Sequence, residues 1–152
     1  MNKNLTAKDI MTKSVITLTE NQTLAEAWKI LASHKITGAP VLDDEGNLTG
    51  VVSQTDILRE TASEAFDKFP KGLFYNDFPH FDGSYWPTQP DILHEMTVSE
   101  VMNSEPICAN DDTPISSLAS QMRKYKIHRL PITKGTNIVG VVTTMDLIEI
   151  LE

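Results

Sequence analysis

The chain contains one sequence unit twice, and this repeat limits its possible folds more than any other feature. Residues 6 to 60 and 97 to 152 align at a spacing of about ninety residues. The shared landmarks are Asp9-Ile10-Met11 with Glu100-Val101-Met102, Pro40-Val41 with Pro131-Ile132, Gly50-Val51-Val52-Ser53 with Gly140-Val141-Val142-Thr143, and Asp56 with Asp146. Because the match includes both apolar runs and the polar residues between them, it predicts one duplicated fold unit. We expect the copies to pack together and to place functional clefts in symmetric pairs.

Composition and charge favour a small soluble protein. The chain has 152 residues, of which 40% are hydrophobic and 22% are charged, and a repeat of about fifty-five residues is marginal alone, so we expect mutual burial. The net charge of −8 argues against binding a nucleic acid polymer. The single cysteine, Cys108, cannot form an internal disulfide. The start lacks a signal-peptide core and no segment reaches transmembrane length, which predicts a cytoplasmic protein that does not cross a membrane.

Each copy predicts the order strand, helix, strand, strand, helix. In the first copy, a β-branched run at 15–18 precedes apolar residues at helical spacing, and Thr23 with Glu26 resembles a capping box. Strands at 39–42 and 48–53 flank a turn and predict a hairpin. The second copy repeats this with strands at 106–109, 130–132 and 138–143, and a helix opened by Thr113 and Pro114.

The order of elements and the motifs resemble two cystathionine-β-synthase (CBS) domains in tandem, a Bateman module. The resemblance rests on the DIM and EVM starts, the prolines in the second strands, and the GVVSQTD and GVVTTMD segments. It implies an α/β (α+β) fold of two β-α-β-β-α repeats with pseudo-two-fold symmetry. Repeat 1 would span 1–60 and repeat 2 would span 97–152, joined by a connecting segment at 61–96. The family commonly binds adenosine-containing molecules in clefts between the repeats, and many members regulate an attached or separate effector.

The strand-to-helix junctions are the strongest candidates for nucleotide contacts. At Ser53 and Thr143 a buried strand is expected to end at a helix start, where unpaired N–H groups attract phosphate. Three residues later, Asp56 and Asp146 can accept hydrogen bonds from the two hydroxyls of a ribose. The same pattern also caps a helix without any ligand. Both interpretations stay open for both copies.

An adenine base would need an apolar slot with a few backbone polar groups. The family resemblance places this slot near the first strand and before the second strand of each repeat. The corresponding residues are Ile16, Thr17, Thr37, Gly38, Ala39 and Pro40 in the first copy, and Ile107, Cys108, Ala109 and Pro131 in the second. Each apolar member, taken alone, fits a core position better than a ligand contact.

The two copies differ in the charges before the second strand. The second copy has His128 and Arg129 where the first has Thr37 and Gly38. Arginine offers a planar fork to phosphate oxygens, and histidine can donate a hydrogen bond to them. The His-Arg pair is similar to one that meets nucleotide phosphates in the gamma subunits of AMP-activated protein kinase. The phosphate interpretation predicts asymmetric sites, with the stronger phosphate contact near the second copy. The alternative is that Arg129 pairs with an acidic neighbour and His128 is a surface residue.

The connecting segment departs from a minimal module. It contains eight of the ten aromatic residues: Phe66, Phe69, Phe74, Tyr75, Phe78, Phe81, Tyr85 and Trp86. Disordered linkers are poor in aromatics, so we expect an ordered segment that starts by extending the helix at 60–69. It would cover the module or a dimer mate, dock a partner, or close one cleft.

Nothing in the motifs indicates catalysis, a metal site or a catalytic cofactor. The sequence therefore leaves two kinds of function. In the first, AMP, ADP or ATP binds to a homodimeric regulatory module and changes its affinity for an unknown effector protein, with S-adenosylmethionine or NAD as alternative ligands. In the second, the chain is a ligand-free dimerisation or protein-interaction module. The aspartate in both copies and the His128-Arg129 pair favour the first.

Overall fold

The structure is a computed structural model, and it describes residues 4–61, 73–75 and 90–152. It contains two three-stranded sheets with helices, which confirms the mixed α+β fold. The elements of the first repeat are α1 (Ala7–Ile10), β1 (Leu18–Thr19), α2 (Leu24–Ser33), β2 (Gly38–Leu42), β3 (Leu48–Ser53) and α3 (Gln54–Thr61). Those that follow are α4 (Pro90–Glu95), α5 (Val98–Val101), β4 (Ala109–Asn110), α6 (Ile115–Tyr125), β5 (Arg129–Lys134), β6 (Asn137–Thr143) and α7 (Thr144–Glu149).

The predicted order of elements is confirmed in both repeats, but the first strands are shorter than predicted. β1 and β4 have two residues each and lie at the end of, or just beyond, the predicted runs. They pair in parallel with β2 and β5, Leu18 opposite Val41 and Ala109 opposite Ile132. The sheet orders are therefore β1-β2-β3 and β4-β5-β6.

Helix termini follow local capping chemistry. The hydroxyl of Thr23 accepts a hydrogen bond from the Glu26 N–H over 3.1 Å, as predicted. Pro114 is the N-cap of α6, one residue earlier than the first helical position predicted for it. Lys35 and Lys126 both have a φ of 55°, so α2 and α6 are each followed by a left-handed residue.

Two short helices, α1 and α5, were not predicted. Each starts with a capping box, Thr6 with Asp9 and Thr97 with Glu100. The hydrogen bond from the Thr6 N–H, then that from its hydroxyl, lowers the pKa of Asp9 below its ordinary value, although the carboxylate is exposed.

The segment that starts each repeat belongs to the compact unit of the other repeat. One unit, the first-repeat unit, contains Ile16–Glu45 and Thr49–Pro106, and the other, the second-repeat unit, contains Met1–Val15, Gly46–Leu48 and Ile107–Glu152, as far as these residues are described. In the second-repeat unit Thr12 bridges to Val141, and in the first-repeat unit Asn103 bridges to Val51. The start of each repeat therefore contributes to the sheet of the other.

Close contacts with methionine explain the paired glycines of the GVV segments. A Cβ at Gly50 would lie 2.6 Å from the sulfur of Met102, and a Cβ at Gly140 would lie 2.5 Å from that of Met11. Real Cβ atoms do not approach so closely. At Gly50 the Cβ would also lie 2.8 Å from the backbone oxygen of Asn103, so this position needs glycine, whereas at Gly140 the Met11 side chain would have to shift.

The core of the first-repeat unit includes part of the connecting segment. Leu93 of α4 is fully buried with Leu24, Trp28 and Leu31 of α2. Ile57 and Leu58 of α3 also have no exposed surface, so they leave no apolar surface on α3 for a dimer contact. They pack in this core, where α4 contacts both α2 and α3.

The connecting segment is ordered where the structure describes it. Leu73–Tyr75 forms a 3-10 turn, and Phe74 and Tyr75 are 2% and 4% exposed. Their rings make an edge-to-face contact with centroids 5.1 Å apart. The other six aromatic residues, and the proposed helical extension beyond Thr61, lie outside the described residues.

Candidate functional site

In the first-repeat unit, Ser53 and Asp56 form a reciprocal cap at the start of α3. The Ser53 N–H donates to Oδ2 of Asp56 over 2.9 Å, and the Asp56 N–H donates to Oγ of Ser53 over 3.2 Å. The second carboxylate oxygen, Oδ1, accepts a hydrogen bond from Nη1 of Arg59 at 3.1 Å. Both oxygens of Asp56 are therefore engaged inside the chain.

The second-repeat unit repeats the cap but not the ion pair. The Thr143 N–H donates to Oδ2 of Asp146 over 2.8 Å, and the Asp146 N–H donates to Oγ1 of Thr143 over 3.3 Å. Glu149 occupies the position that Arg59 has in the first repeat. Within residues 4–61, 73–75 and 90–152, no hydrogen-bond partner is found for Oδ1 of Asp146. This oxygen can accept hydrogen bonds from a ligand.

The helix starts have fewer available N–H groups than the sequence analysis assumed. The Gln54 N–H donates to the carbonyl of Thr37 over 2.8 Å, and the Thr144 N–H donates to that of His128 over 3.0 Å. Together with the two N–H groups of each cap, three N–H groups near each helix start are bonded within the chain. Fewer N–H groups at these ends are therefore available to a phosphate, and the capping interpretation describes the bonded backbone groups of both junctions. The phosphate contact stays a prediction.

The two junctions differ strongly in exposure. Ser53 and Asp56 are 2% and 6% exposed, and the residues between them, Gln54 and Thr55, are equally buried. In the second repeat, Thr143 and Asp146 are only partly buried, and Met145 between them is 59% exposed. The second junction is open to a ligand, whereas the first is covered.

The residues around the start of each second strand lie beside these junctions. Arg129 is the first residue of β5 and pairs with Thr143 in the sheet. It is partly buried, and His128 before it is exposed. In the first repeat, Gly38 is buried, and the hydroxyl of Thr37 is buried with no partner among the described residues.

A groove of about 340 Å³ in the second-repeat unit brings His128 together with Arg123 and Lys126. Its apolar lining comes from Ala119, Met122, Ile127 and Leu147, and its polar lining from Arg123, Lys126, His128 and Thr144. The basic side chains favour an anionic group at this end of β5. Sequence reasoning missed Arg123 in this cluster, although its position in the last turn of α6, near the turn at Lys126, was the available signal.

The cavity beside the first junction has the opposite charge. It measures about 450 Å³ and is lined by Asp56, Arg59, Glu60, Glu100, Val101, Met102, Asn103 and Ser104. Three carboxylates and one arginine repel a phosphate more than they attract it. Arg59 was also missed, although its place three residues after Asp56 on the same helix predicts an ion pair.

The predicted adenine-slot residues divide between core and partly exposed positions. Ala39 is 1% exposed and belongs to the core of the first-repeat unit. Gly38, Pro40 and Pro131 are buried, while the partly buried group consists of Ile16, Thr17, Thr37, Ile107, Cys108 and Ala109. The Cys108 carbonyl accepts a hydrogen bond from Nε2 of Gln121 at 3.4 Å. Among residues 4–61, 73–75 and 90–152 there is no cluster of three metal-ligating side chains and no helix long and apolar enough to span a membrane.

A sequence model of the CBS domain matches residues 7–63 and again residues 98–152. The chain belongs to the CBS domain family. The uncharacterised protein MJ1426 of Methanocaldococcus jannaschii is 32% identical over 151 residues, which cover 95% of this chain and 89% of that protein.

CBS domains similar to this chain also occur within much longer proteins. MJ1404 of the same archaeon is 31% identical over 97% of this chain, which spans only 32% of MJ1404. L-aspartate semialdehyde sulfurtransferase from this archaeon is 28% identical over 92% of the chain, which spans 22% of that enzyme. The chain thus corresponds to less than a third of either relative.

Solved CBS structures have the same fold over nearly the whole chain. The CBS domain of a CBS domain containing membrane protein from Sphaerobacter thermophilus superposes with a TM-score of 0.72 at 28% identity, and covers 99% of this chain and 90% of that one. The CBS domain pair of protein MJ0100, in complex with 5′-methylthioadenosine and S-adenosylmethionine, gives a TM-score of 0.66 at 27% identity, with 97% and 95% covered.

Proposed function

We propose that this CBS pair is a regulatory module that senses an adenosine-containing ligand. Asp146 would accept hydrogen bonds from the ribose hydroxyls, and Arg129 and His128 would bind a phosphate or another anionic group. The observation that carries the proposal is the uncommitted Oδ1 of Asp146 at a partly open junction, beside the strand that begins at Arg129. A carboxylate oxygen accepts a hydrogen bond from a ribose hydroxyl, and a guanidinium donates paired hydrogen bonds to phosphate oxygens.

The adenosine class is supported by the ligands of the MJ0100 CBS pair, both of which contain adenosine. AMP, ADP and ATP are the ligands we propose first, because the groove with Arg123, Lys126 and His128 favours an anionic group. S-adenosylmethionine and NAD are the alternatives. Ile107, Cys108 and Ala109 of the second repeat are partly buried and would provide the apolar contacts for the base.

Regulation would act through a second protein. A ligand changes a conformational equilibrium only if it binds the two conformations unequally. We propose that the ligand does so here, in a cytoplasmic homodimer, and thereby changes the affinity for an effector. The proposed dimer surface is the exposed apolar side of α7 and the following residues, where Ile148 and Leu151 are 50% and 71% exposed.

The second candidate function is a scaffold that binds no small molecule. The observation in its favour is that both capping boxes are complete within the chain. In this case Asp56 and Asp146 would only stabilise helix starts, and the chain would act through its protein contacts.

Thermal unfolding with candidate ligands distinguishes the two functions. The purified, ligand-stripped chain would be heated with adenosine, AMP, ADP, ATP, S-adenosylmethionine or NAD. A ligand present at a hundred times its dissociation constant adds about 2.7 kcal/mol to the free energy of unfolding. We expect a rise in melting temperature with at least one of these compounds. No rise with any of them, at millimolar concentration, would support the scaffold.

A further inference from the structure

The packing of Phe74 distinguishes the first repeat from the second. A Cβ built on Gly38 would lie 3.0 Å from Cδ2 of Phe74 and 3.2 Å from Cα of Ser53. The ring of Phe74 therefore lies where a side chain at position 38 would extend, at the end of β3. A side chain at this position would force the ring to shift.

In the second repeat, the equivalent position carries Arg129. Arg129 pairs with Thr143, the residue that corresponds to Ser53. Since side-chain direction on a strand follows from the register, the Arg129 side chain starts from the place that corresponds to the Phe74 ring in the first repeat. An apolar ring from the connecting segment thus replaces the arginine of the second site.

The junction next to Phe74 is correspondingly closed. Ser53, Thr55 and Asp56 are 2%, 3% and 6% exposed, and Tyr75 is 4% exposed in contact with the Phe74 ring. Asp56 is neutralised by Arg59. A ribose at this junction would need to displace the aromatic ring and compete with the ion pair.

We infer that Phe74 and Tyr75 are an intrachain plug that closes the first-repeat copy of the ligand site. The chain then has one open adenosine site, at Asp146, and a second site that opens only when the aromatic pair leaves. The inference rests on the proposed function for the identity of the ligand. The plug itself is a property of the packing and can be tested without any ligand.

Thiol labelling tests the plug directly. Ser53→Cys would be introduced in a Cys108→Ser background and treated with a thiol reagent, with Thr143→Cys in the same background as the matched site. Adding Phe74→Ala and Tyr75→Ala should accelerate labelling at position 53 by about tenfold or more, because a buried thiol reacts only when it is transiently exposed. Labelling at position 143 should keep its rate. Tyr125→Ala, which removes an exposed aromatic residue (46% exposed), should change neither rate.

Calorimetry with AMP as the probe tests the number of sites. The intact chain should bind one AMP per chain, and the Phe74→Ala/Tyr75→Ala variant should bind two. Two AMP per chain for the intact protein would overturn the plug, and this measurement decides the matter even if the double variant fails to fold. An unchanged labelling rate at position 53 in the folded double variant would also overturn it. If AMP binds to neither protein, the proposed AMP site fails, while the labelling rates still decide the plug.

Discussion

Arg59 donates a hydrogen bond to Oδ1 of Asp56 over 3.1 Å, one turn along α3. The same position of the second repeat is Glu149, which cannot donate to Asp146. Two aspartates that are equivalent in sequence therefore have different electrostatic surroundings. Both carboxylate oxygens of Asp56 are bonded within the chain, whereas Oδ1 of Asp146 has no partner among the described residues.

Replacing Asp146 should weaken ligand binding. We expect Asp146→Ala to lose about 1.5–3 kcal/mol of binding free energy for AMP or S-adenosylmethionine, the range for hydrogen bonds to a charged group. Calorimetry would measure the loss. Lys134→Ala, an exposed residue at the end of β5, is the control and should bind as the original chain does. Equal affinity of Asp146→Ala and the control would contradict the ribose role.

Replacing Asp56 should instead destabilise the fold. Asp56→Ala removes a helix cap, for which about 1 kcal/mol is typical, and also leaves the largely buried guanidinium of Arg59 without its carboxylate. The free energy of unfolding in urea should therefore fall further for Asp56→Ala than for Asp146→Ala, which loses only a cap. A smaller loss at Asp56 would mean that the ion pair contributes nothing to stability.

The phosphate role of Arg129 predicts a preference among ligands. Arg129→Ala should cost more binding free energy for AMP than for adenosine, because only AMP has the phosphate. The difference should shrink as salt rises, since charges are screened over about 8–10 Å at physiological ionic strength. Calorimetry at two salt concentrations would measure this. Equal losses for the two ligands would show that Arg129 does not bind phosphate.

Gly38 should be intolerant of a side chain for reasons of packing. A Cβ there would lie 2.6 Å from the carbonyl oxygen of Val52, which is backbone and cannot move aside cheaply. Gly38→Ala should lower the free energy of unfolding by about 1–3 kcal/mol, as is typical for overpacking. The control is Thr49→Ser, at a partly buried position, which should unfold near the original urea midpoint. Unfolding of Gly38→Ala at the original urea midpoint would contradict the close packing.

The proposed homodimer predicts a mass of twice 16.9 kDa by light scattering at micromolar concentration. The double variant Ile148→Glu/Leu151→Glu places charges on the exposed apolar side of α7 and beyond it, so it should be a folded monomer. Tyr125→Ser, an exposed residue of α6, should remain a dimer. A monomeric original chain would remove the dimer from the proposal.

Much of the fold could be predicted because its signals are local. The repeat spacing, the apolar period of α2 and the Thr23 cap each depend on residues within one or two turns. The short helices α1 and α5 had equally local signals in Thr6 with Asp9 and Thr97 with Glu100. The exchange of these segments between units had no local signal. It became visible only through the contacts of Met11 with Gly140 and of Met102 with Gly50.

The residues of the candidate site were named from the sequence, but the burial of each junction was not. The sequence determined that Ser53 with Asp56 and Thr143 with Asp146 stand at equivalent junctions, and that Arg129 of the second repeat corresponds to Gly38 of the first. The tertiary structure decided that Phe74 packs beside Gly38, that the first junction is buried, and that Ile57 and Leu58 lie in the core. The physical reason is that capping and periodicity depend on neighbours along the chain. Burial depends on which distant segment packs over a residue, and no spacing within the repeat specifies that.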